Sequence, residues 1–565
     1  MSQQNTLARQ RPKIFTGAIV GGLLMAPLMA LLYLGDRFAG LPFLPFDLFD
    51  WVARILPGPL VTFGIDVMVE ALRALNIGAL DEAAKLSEQL MGLGLFWLLG
   101  VIAGAIFFFV LNRLKGVNPI TGVICGALLS LPLLLISTQV NTTATADPLL
   151  RAGWIVLVMV GFGVLLYWAY ASLIARPRDA AKAKPTPAND LDRRQFLVRV
   201  GGASAVLTVV GAGLGALLNT RAEDIGSSQV QSAPTADAGE RVDGSGNPLP
   251  NADDSLVAAP GTRPEYTPVA DHYRIDIASR PPVIDGETYT LPITGLVANP
   301  VEWTLEDIRA MPSESAFITM ACISNRIAGP LISTTKWTGV PMQEILERIE
   351  PLPEAGALRI TGADGFDEYV SLDLIREDPR LMLAYAWDDQ PLPQQNGFPL
   401  RIHIPDLYGM KQPKWITGIE VVEEYGEGYW VRRGWSAVAR VNSTSVIDTV
   451  AQDSIYQDGE QFLVPIGGIA WAGARGISRV EVRVDEGEWV EADLREPLSE
   501  RTWVIWRYDW PFEAGEHTFT VRCYEGDGTQ QIEREQGVRP DGATGLHSDR
   551  ELLREPEPAT DETTS

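Results

Sequence analysis

Four apolar runs, each long enough to cross a bilayer, crowd the part of the chain before residue 180. They cover roughly residues 14–34, 91–111, 119–138 and 152–175, and about 20 residues at 1.5 Å each span the hydrocarbon. A buried helix in a large soluble protein would account for any one of them. Four in succession, nearly free of charge, read as membrane helices. The segment 41–89 between the first two is apolar but carries Asp47, Asp50, Asp66 and Glu70, and is expected to lie outside the bilayer or along its surface.

A fifth run, 196–218, follows Arg193-Arg194-Gln195-Phe196-Leu197, and this arrangement resembles a twin-arginine export signal. An ordinary basic flank of a membrane helix is the alternative. The glycines of this run follow no strand, so small-residue helix packing suits them better than a dinucleotide fingerprint. Basic residues cluster before the first helix (Arg9, Arg11, Lys13), between the second and third (Arg113, Lys115) and between the fourth and fifth (Arg176 to Arg199). With five crossings all three clusters share one face. That face is expected to be cytoplasmic, which puts everything after residue 220 outside the cytoplasm of a prokaryotic plasma membrane.

The chain has four histidines, and none precedes His272. A membrane haem held by axial histidines is therefore not expected in residues 1–220. The three cysteines, Cys125, Cys322 and Cys523, form no C-x-x-C pair, so neither iron–sulfur clusters nor covalent haem attachment is expected. A formal net charge of -25 argues against nucleic acid as a partner. Any anionic substrate would need a local basic pocket.

Length and pattern divide the rest. Residues 1–190 read as a membrane domain with four helices, and 191–220 as a signal or anchor helix. Residues 221–262, rich in Ser, Ala, Asp, Gly and Pro, read as a flexible linker. From 263 to 440 short alternating strands (TYTLPITGLV, ALRITGA) mix with short helices (TLEDIRAM, PMQEILERI). From 441 to 536, strand-like runs separated by Gly, Asp and Pro suggest an antiparallel β-sandwich. The acidic tail 537–565 is expected to be disordered.

Four ordered motifs carry a resemblance: "HYRIDIASRPPVIDGETYTLPITGLV", "CISNRIAGPLISTTKWTGVP", "LMLAYAWDDQPLPQQNGFPLRIHIPDLYGMKQPKW" and "GIAWAGARGISRVEVRVDEGEW". Residues 264–440 resemble the molybdopterin-binding domain of the sulfite oxidase family. Residues 441–535 resemble the immunoglobulin-like domain that follows it there and often dimerises. The implied architecture is multi-domain: about five transmembrane helices, an α+β molybdopterin domain and an all-β immunoglobulin-like sandwich. By the same resemblance Cys322 would ligate molybdenum, since a thiolate is a soft donor suited to such a metal. An isolated cysteine is otherwise usually a small buried hydrophobe. Asn396, Arg401, Gln412 and Lys414 would hold the pyranopterin and its phosphate, with backbone groups of Gln412 and Pro413 contributing. Thr361 and Asp364 match a further contacting loop, and turn chemistry is their plain alternative. His272 is either a cofactor contact or a structural histidine.

Three departures affect the substrate. The family's second arginine after the Asn is replaced, so that the pair reads Arg326-Ile327. The loop before "ISTTKW" is shortened to "AGPL". Trp435 of "YWVRRGW" stands where the family's active-site tyrosine aligns. Arg326, Arg432 and Arg433 remain as candidates for a basic pocket, although arginines beside a tryptophan are as often surface residues. The resulting reading is a membrane-anchored molybdenum enzyme transferring an oxygen atom to or from a small oxyanion or sulfur-oxide substrate, with Cys322, Arg326 and Trp435 at the reacting centre. It implies a separate cytochrome or quinone-linked electron partner and is compatible with a homodimer. Rival readings are a sulfoxide reductase of the same family and a catalytically degenerate, membrane-tethered binding module.

Overall fold

The computed structural model describes residues 12–58, 60, 63–64, 67, 80–114, 118–174, 195, 198–210, 213 and 241–555. Two compact units emerge: residues 1–231 with 277–283, and residues 232–276 with 284–565.

In the first unit four helices are long and apolar enough to cross a membrane: Ile14–Ala39, Lys85–Arg113, Ile120–Val140 and Pro148–Ile174. They pack through reciprocal small-residue contacts. A Cβ on Gly21 would come 2.1 Å from the Gly100 carbonyl, and one on Gly104 would come 2.2 Å from that of Gly17. Two G-x-x-x-G stretches thus let the first two backbones touch, as dispersion-driven packing between membrane helices requires. Gly122, Gly126 and Gly163 do the same for the last two. The anticipated fifth helix is described over Val198–Val210. The paired arginines Arg193 and Arg194 lie outside the described residues.

Asp47 and Asp50 of the 41–89 segment find partners within this unit, while Asp66 and Glu70 lie outside the described residues. Asp47, on the helix Leu44–Ile55, accepts from Ser137 and Asn141 at 2.7 Å each. Residues 277–283 also belong here. Arg280 pairs with Asp36 at 2.7 Å, donates to Thr143 at 3.0 Å and lies over the Phe43 and Phe46 rings. The backbone N–H of Ser279 donates to Asp50 at 3.2 Å.

The second unit is built on two five-stranded sheets. One has the order β2 (Val301–Thr304), β1 (Thr290–Gly295), β10 (Ile416–Val422), β5 (Ala357–Gly362), β6 (Asp367–Ser371). Its β1–β10 pair is parallel and the others antiparallel. The other runs β3 (Glu314–Ala321), β4 (Ile332–Pro341), β7 (Met382–Trp387), β8 (Gln390–Pro391), with β9 (Arg401–His403) also on β7. Leu291, Ile293, Leu358, Ile360, Leu383 and Ile402 from both sheets share one core. The helix Met342–Ile349 closes it with Met342, Ile345, Leu346 and Ile349, an i, i+3, i+4, i+7 stripe. Thr304 and Asp307 form the capping box that starts the short helix Leu305–Arg309.

Beyond residue 441 two further antiparallel sheets face a common core. They are β11 (Thr444–Val450), β13 (Gln461–Trp471), β17 (Val504–Pro511), β16 (Asp493–Leu494), with β12 (Tyr456–Asp458) also on β13, and β15 (Val490–Glu491), β14 (Ile477–Val484), β18 (Gly515–Glu525), β19 (His547–Leu553). The anticipated boundary at 441 is not a gap between cores. Ala321, Ile323 and Met410 share a cluster with Val446, Ile469, Trp471 and Trp503.

Two expectations are corrected. Of the proposed linker, 221–240 lies outside the described residues, but 241–262 is packed into the second unit. Asn251 donates to Glu265 at 2.8 Å and to the Glu496 carbonyl at 2.6 Å, and Leu249 and Ala259 are buried. Paired polar side chains anchor a segment whose composition alone offers little apolar area. The acidic tail is likewise ordered to residue 555. His547–Leu553 adds β19 to the edge of β18, with Leu553 buried, while 556–565 lie outside the described residues.

Candidate active site

Cys322 follows the last residue of β3, where the hairpin with β4 opens into a loop. Its N–H donates to the Leu331 carbonyl at 3.0 Å and its own carbonyl accepts from Asn325 at 2.9 Å. The Asn325 side chain closes the loop by accepting from the Leu331 N–H at 2.9 Å, so the Asn of the C-x-x-N-R motif is used in shaping the turn. The thiol is 8% exposed and sits 3.1 Å from the Ser324 hydroxyl. Burial pushes its pKa up, opposed by the Ser324 contacts and by Lys414. A thiol held this way stays protonated until a strong local cation or a metal takes the proton's place.

Around Cys322 lies a cluster containing Tyr273, Met320, Trp337 and Trp387. Arg401 enters it from β9, with its guanidinium 4.6 Å from the Trp337 ring centre and 5.1 Å from that of Trp387. Among the described residues it meets only neutral acceptors. It donates to the Asn396 carbonyl at 2.9 Å and to the Met320 thioether at 3.3 Å, and Nε is buried without a partner. Desolvation lowers this arginine to about 10. A guanidinium resting on a sulfur is poorly satisfied and suited to a stronger, anionic acceptor.

Two histidines complete the cluster. His272 stacks on Trp387 at 4.4 Å, and its Nδ1 lies 3.0 Å from the Tyr273 carbonyl. A carbonyl only accepts, so Nδ1 carries the hydrogen and Nε2 is a bare acceptor, buried without a partner. His403 Nδ1 lies 3.2 Å from Gln412 Oε1. The Gln412 amide nitrogen donates to the Leu407 carbonyl at 2.8 Å, which fixes the amide's orientation. His403 therefore also presents a bare, buried Nε2. Desolvation drives both rings down to about 3, with Arg401 adding repulsion at His272 and Arg501 at His403. Asn396 Oδ1 is a third buried acceptor, and none of the three has a partner among the described residues.

Lys414 supplies the other cation. Its Nζ donates to the Ile275 carbonyl at 3.2 Å and to Asp276 at 3.3 Å, and Asp276 also binds Arg274 at 2.8 Å. Burial lowers Lys414 to about 8 despite Asp276.

The remaining anticipated residues fall elsewhere or into structural roles. Arg326 is exposed, on a turn where its carbonyl accepts from Gly329. Asp364 closes the β5–β6 turn by accepting from Phe366 at 3.0 Å, and Thr361 donates to the Gly418 carbonyl at 3.2 Å. The Gln412 N–H and the Pro413 carbonyl, offered as cofactor contacts, are engaged with Gly409 and Ile402. Arg432 is paired with Asp367 at 2.5 and 3.1 Å beside an open hollow of about 460 Å³ lined by Arg359, Thr361, Phe366 and Tyr369. Arg433 stacks on Tyr429 at 3.6 Å. Trp435 packs against the Ile323 cluster, under Arg539. His403, Tyr273, Trp337 and Trp387 sit inside the quoted motifs but are not singled out there. The scarcity of histidine was the one available signal for His403.

Comparison with known proteins bears on the domain that carries these residues. Residues 278–430 match the oxidoreductase molybdopterin binding domain family. The mitochondrial sulfite oxidase of Homo sapiens is 28% identical over 296 residues, covering 45% of this chain and 54% of that protein. A protein of Azospira oryzae, provisionally named as the protein-methionine-sulfoxide reductase subunit YedZ1, is 30% identical over 154 residues, covering 27% of this chain and 56% of its own. The crystal structure of the sulfane dehydrogenase SoxCD from Paracoccus pantotrophus aligns with a TM-score of 0.44 and 19% identity, covering 54% of this chain and 89% of that one. The second unit thus contains a molybdopterin-binding oxidoreductase domain. That domain is similar to the sulfite oxidases, and the chain spans about half the length of the relatives it matches.

The residues present fit molybdopterin. Three buried bare acceptors suit a ring system rich in N–H groups. A guanidinium without an anionic partner among the described residues and a partly buried lysine suit its phosphate, and a buried thiol suits its metal.

Proposed function

We propose that the second unit binds molybdopterin with Cys322 as a molybdenum ligand, and that the protein performs two-electron oxygen-atom transfer on a small sulfur-oxide or oxyanion substrate. The observation that carries this reading is the coincidence of the buried Cys322 thiol with His272 Nε2, His403 Nε2, Asn396 Oδ1 and an under-satisfied Arg401. When bound, the cofactor supplies reversible two-electron exchange of an oxygen atom. The chain's share is binding and positioning. His272, His403 and Asn396 accept from the ring system, Gln412 holds His403 in the required tautomer, and Arg401 and Lys414 take the phosphate. Trp337 and Trp387, both about 1% exposed or less, exclude water and hold the guanidinium flat.

A second reading, reduction of a sulfoxide-type group, is favoured by the charge arrangement. Arg401 and Lys414 are taken up by the cofactor phosphate in this reading, Arg432 is neutralised by Asp367 and Lys411 by Glu368, and Arg326 is exposed. A dianion such as sulfite needs uncompensated positive charge, particularly on a chain of net charge -25. A neutral substrate does not. The four long apolar helices support membrane anchoring, and the basic clusters flanking them support an extracytoplasmic position for the second unit in a prokaryotic membrane. The electron partner in this reading is a separate cytochrome or quinone-linked protein. The two facing sheets after 441 are read as the immunoglobulin-like sandwich, a candidate dimer surface.

Steady-state assay of the purified full chain tests the reading. Sulfite is offered with an electron acceptor, and sulfoxides with a reduced dye. Turnover of one class that disappears in Cys322→Ser is the expected result. Wild-type turnover in that variant sinks the assignment.

A further inference from the structure

Lys411 and Glu368 form the most deeply buried ion pair among the described residues, at 3.0 Å with side chains 1% and 0% exposed. A buried pair of this kind is often no more stabilising than apolar residues of the same volume, so its presence invites another explanation. Lys411 ends the short helical turn Gly409–Lys411. At the other end of that turn, a Cβ on Gly409 would lie 3.0 Å from the Tyr273 hydroxyl and 3.5 Å from the carbonyl of Ala321, the neighbour of Cys322. Lys411 Nζ also donates to the Tyr425 hydroxyl at 3.3 Å, and Tyr425 is 50% exposed. Glu368 Oε1 accepts from Lys411 and from the Tyr369 N–H, while Oε2 is buried without a partner among the described residues.

We propose that Tyr425, Lys411 and Glu368 form a proton line between solvent and the interior of the molybdopterin domain. The proposal rests on the oxygen-atom chemistry above. Removing an oxygen as water consumes two protons with two electrons from the separate donor, and the reverse reaction releases two of each. In the inward direction the Lys411 N–H bond breaks as an O–H bond forms on Glu368, leaving a neutral amine and a neutral acid. The amine then takes the Tyr425 hydroxyl proton, a hydronium ion from solvent reprotonates the tyrosinate and leaves as water, and Glu368 returns to the carboxylate as it gives its proton up to the interior. The neutral amine–acid pair has less desolvation cost than the ions, which keeps the two forms close in energy in a dry site. The charged and titratable groups facing Glu368 are Lys411, its strand neighbours Asp367 and Tyr369, and Tyr425 and Arg432 from the segment lying across β6. From β5 the opposite residue is Ile360. Burial raises the carboxyl and Lys411 opposes that shift, so the group stands nearer to neutral pH than a surface glutamate.

Infrared difference spectroscopy on the full-length protein as purified, with cofactor bound, tests this. A buried carboxyl band is expected to grow on acidification and to be absent in Glu368→Gln. In Tyr425→Phe, which keeps the half-exposed ring but breaks the line, hydrogen–deuterium exchange of that band is expected to slow roughly tenfold or more, with kcat falling and KM unchanged. An absent band, or an exchange rate unaltered in Tyr425→Phe, overturns the line. Failure of the oxygen-transfer reading shows separately, as absence of turnover in the wild-type protein whose exchange rates are being compared.

Discussion

Acidification should open the candidate site selectively, and His403 gives the size of the effect. Its ring is buried, donates through Nδ1 to Gln412 and is driven from an ordinary value of 6.5 down to about 3. The folded protein therefore binds fewer protons than the unfolded chain between pH 3 and 6.5. The contribution is intact above pH 6.5 and is lost as pH falls through that window. From pH 7 to pH 5 the difference amounts to about 1.4 pH units, or about 2 kcal/mol, for one such histidine. His272, shifted to the same value, adds about as much again. The assay is amide hydrogen exchange at the Ile402 N–H, which donates to the Pro413 carbonyl in the strand that carries His403. After correction for intrinsic rates, the opening free energy in the wild-type protein should fall by about 4 kcal/mol between those pH values. In His403→Gln it should fall by about half that. An equal fall in both proteins, or none in either, refutes the argument that these imidazoles are buried and neutral.

Two further outcomes follow from packing. Gly428→Ala would put a methyl group 2.3 Å from the Glu368 carboxyl, so roughly 1–3 kcal/mol of stability should be lost, seen as faster amide exchange in β6. Arg280→Ala removes the pairing with Asp36 and the Thr143 contact within the first unit, at a cost of roughly 1.5–3 kcal/mol. Limited proteolysis should then cut within 277–283, where the wild-type chain resists.

Much of the fold was legible because it rests on local periodicity. Four apolar runs became four long helices, and the stripe in "PMQEILERI" and the Thr304–Asp307 cap became the helices those patterns specify. Composition misled at 241–262 and 537–555. There, order comes from a few long-range pairs, Asn251 with Glu265 and β19 with β18, which no local window contains. The partners of Asp36, Asp47 and Asp50 were hidden for the same reason. At the candidate site, resemblance to the family singled out Cys322, Asn396, Arg401 and Lys414. It could not reveal that Asn325 and Asp364 are spent on turns, that Arg432 is neutralised by Asp367, or that His403 stands beside Trp337.

X-ray absorption at the molybdenum edge addresses the central assignment most directly, comparing the purified full chain with its Cys322→Ser variant. The wild-type protein should contain molybdenum near one per chain. The variant should stay folded and, in whatever metal it retains, have one sulfur fewer around the molybdenum. A wild-type protein without molybdenum, or a variant with an unchanged sulfur shell, would contradict the assignment of Cys322.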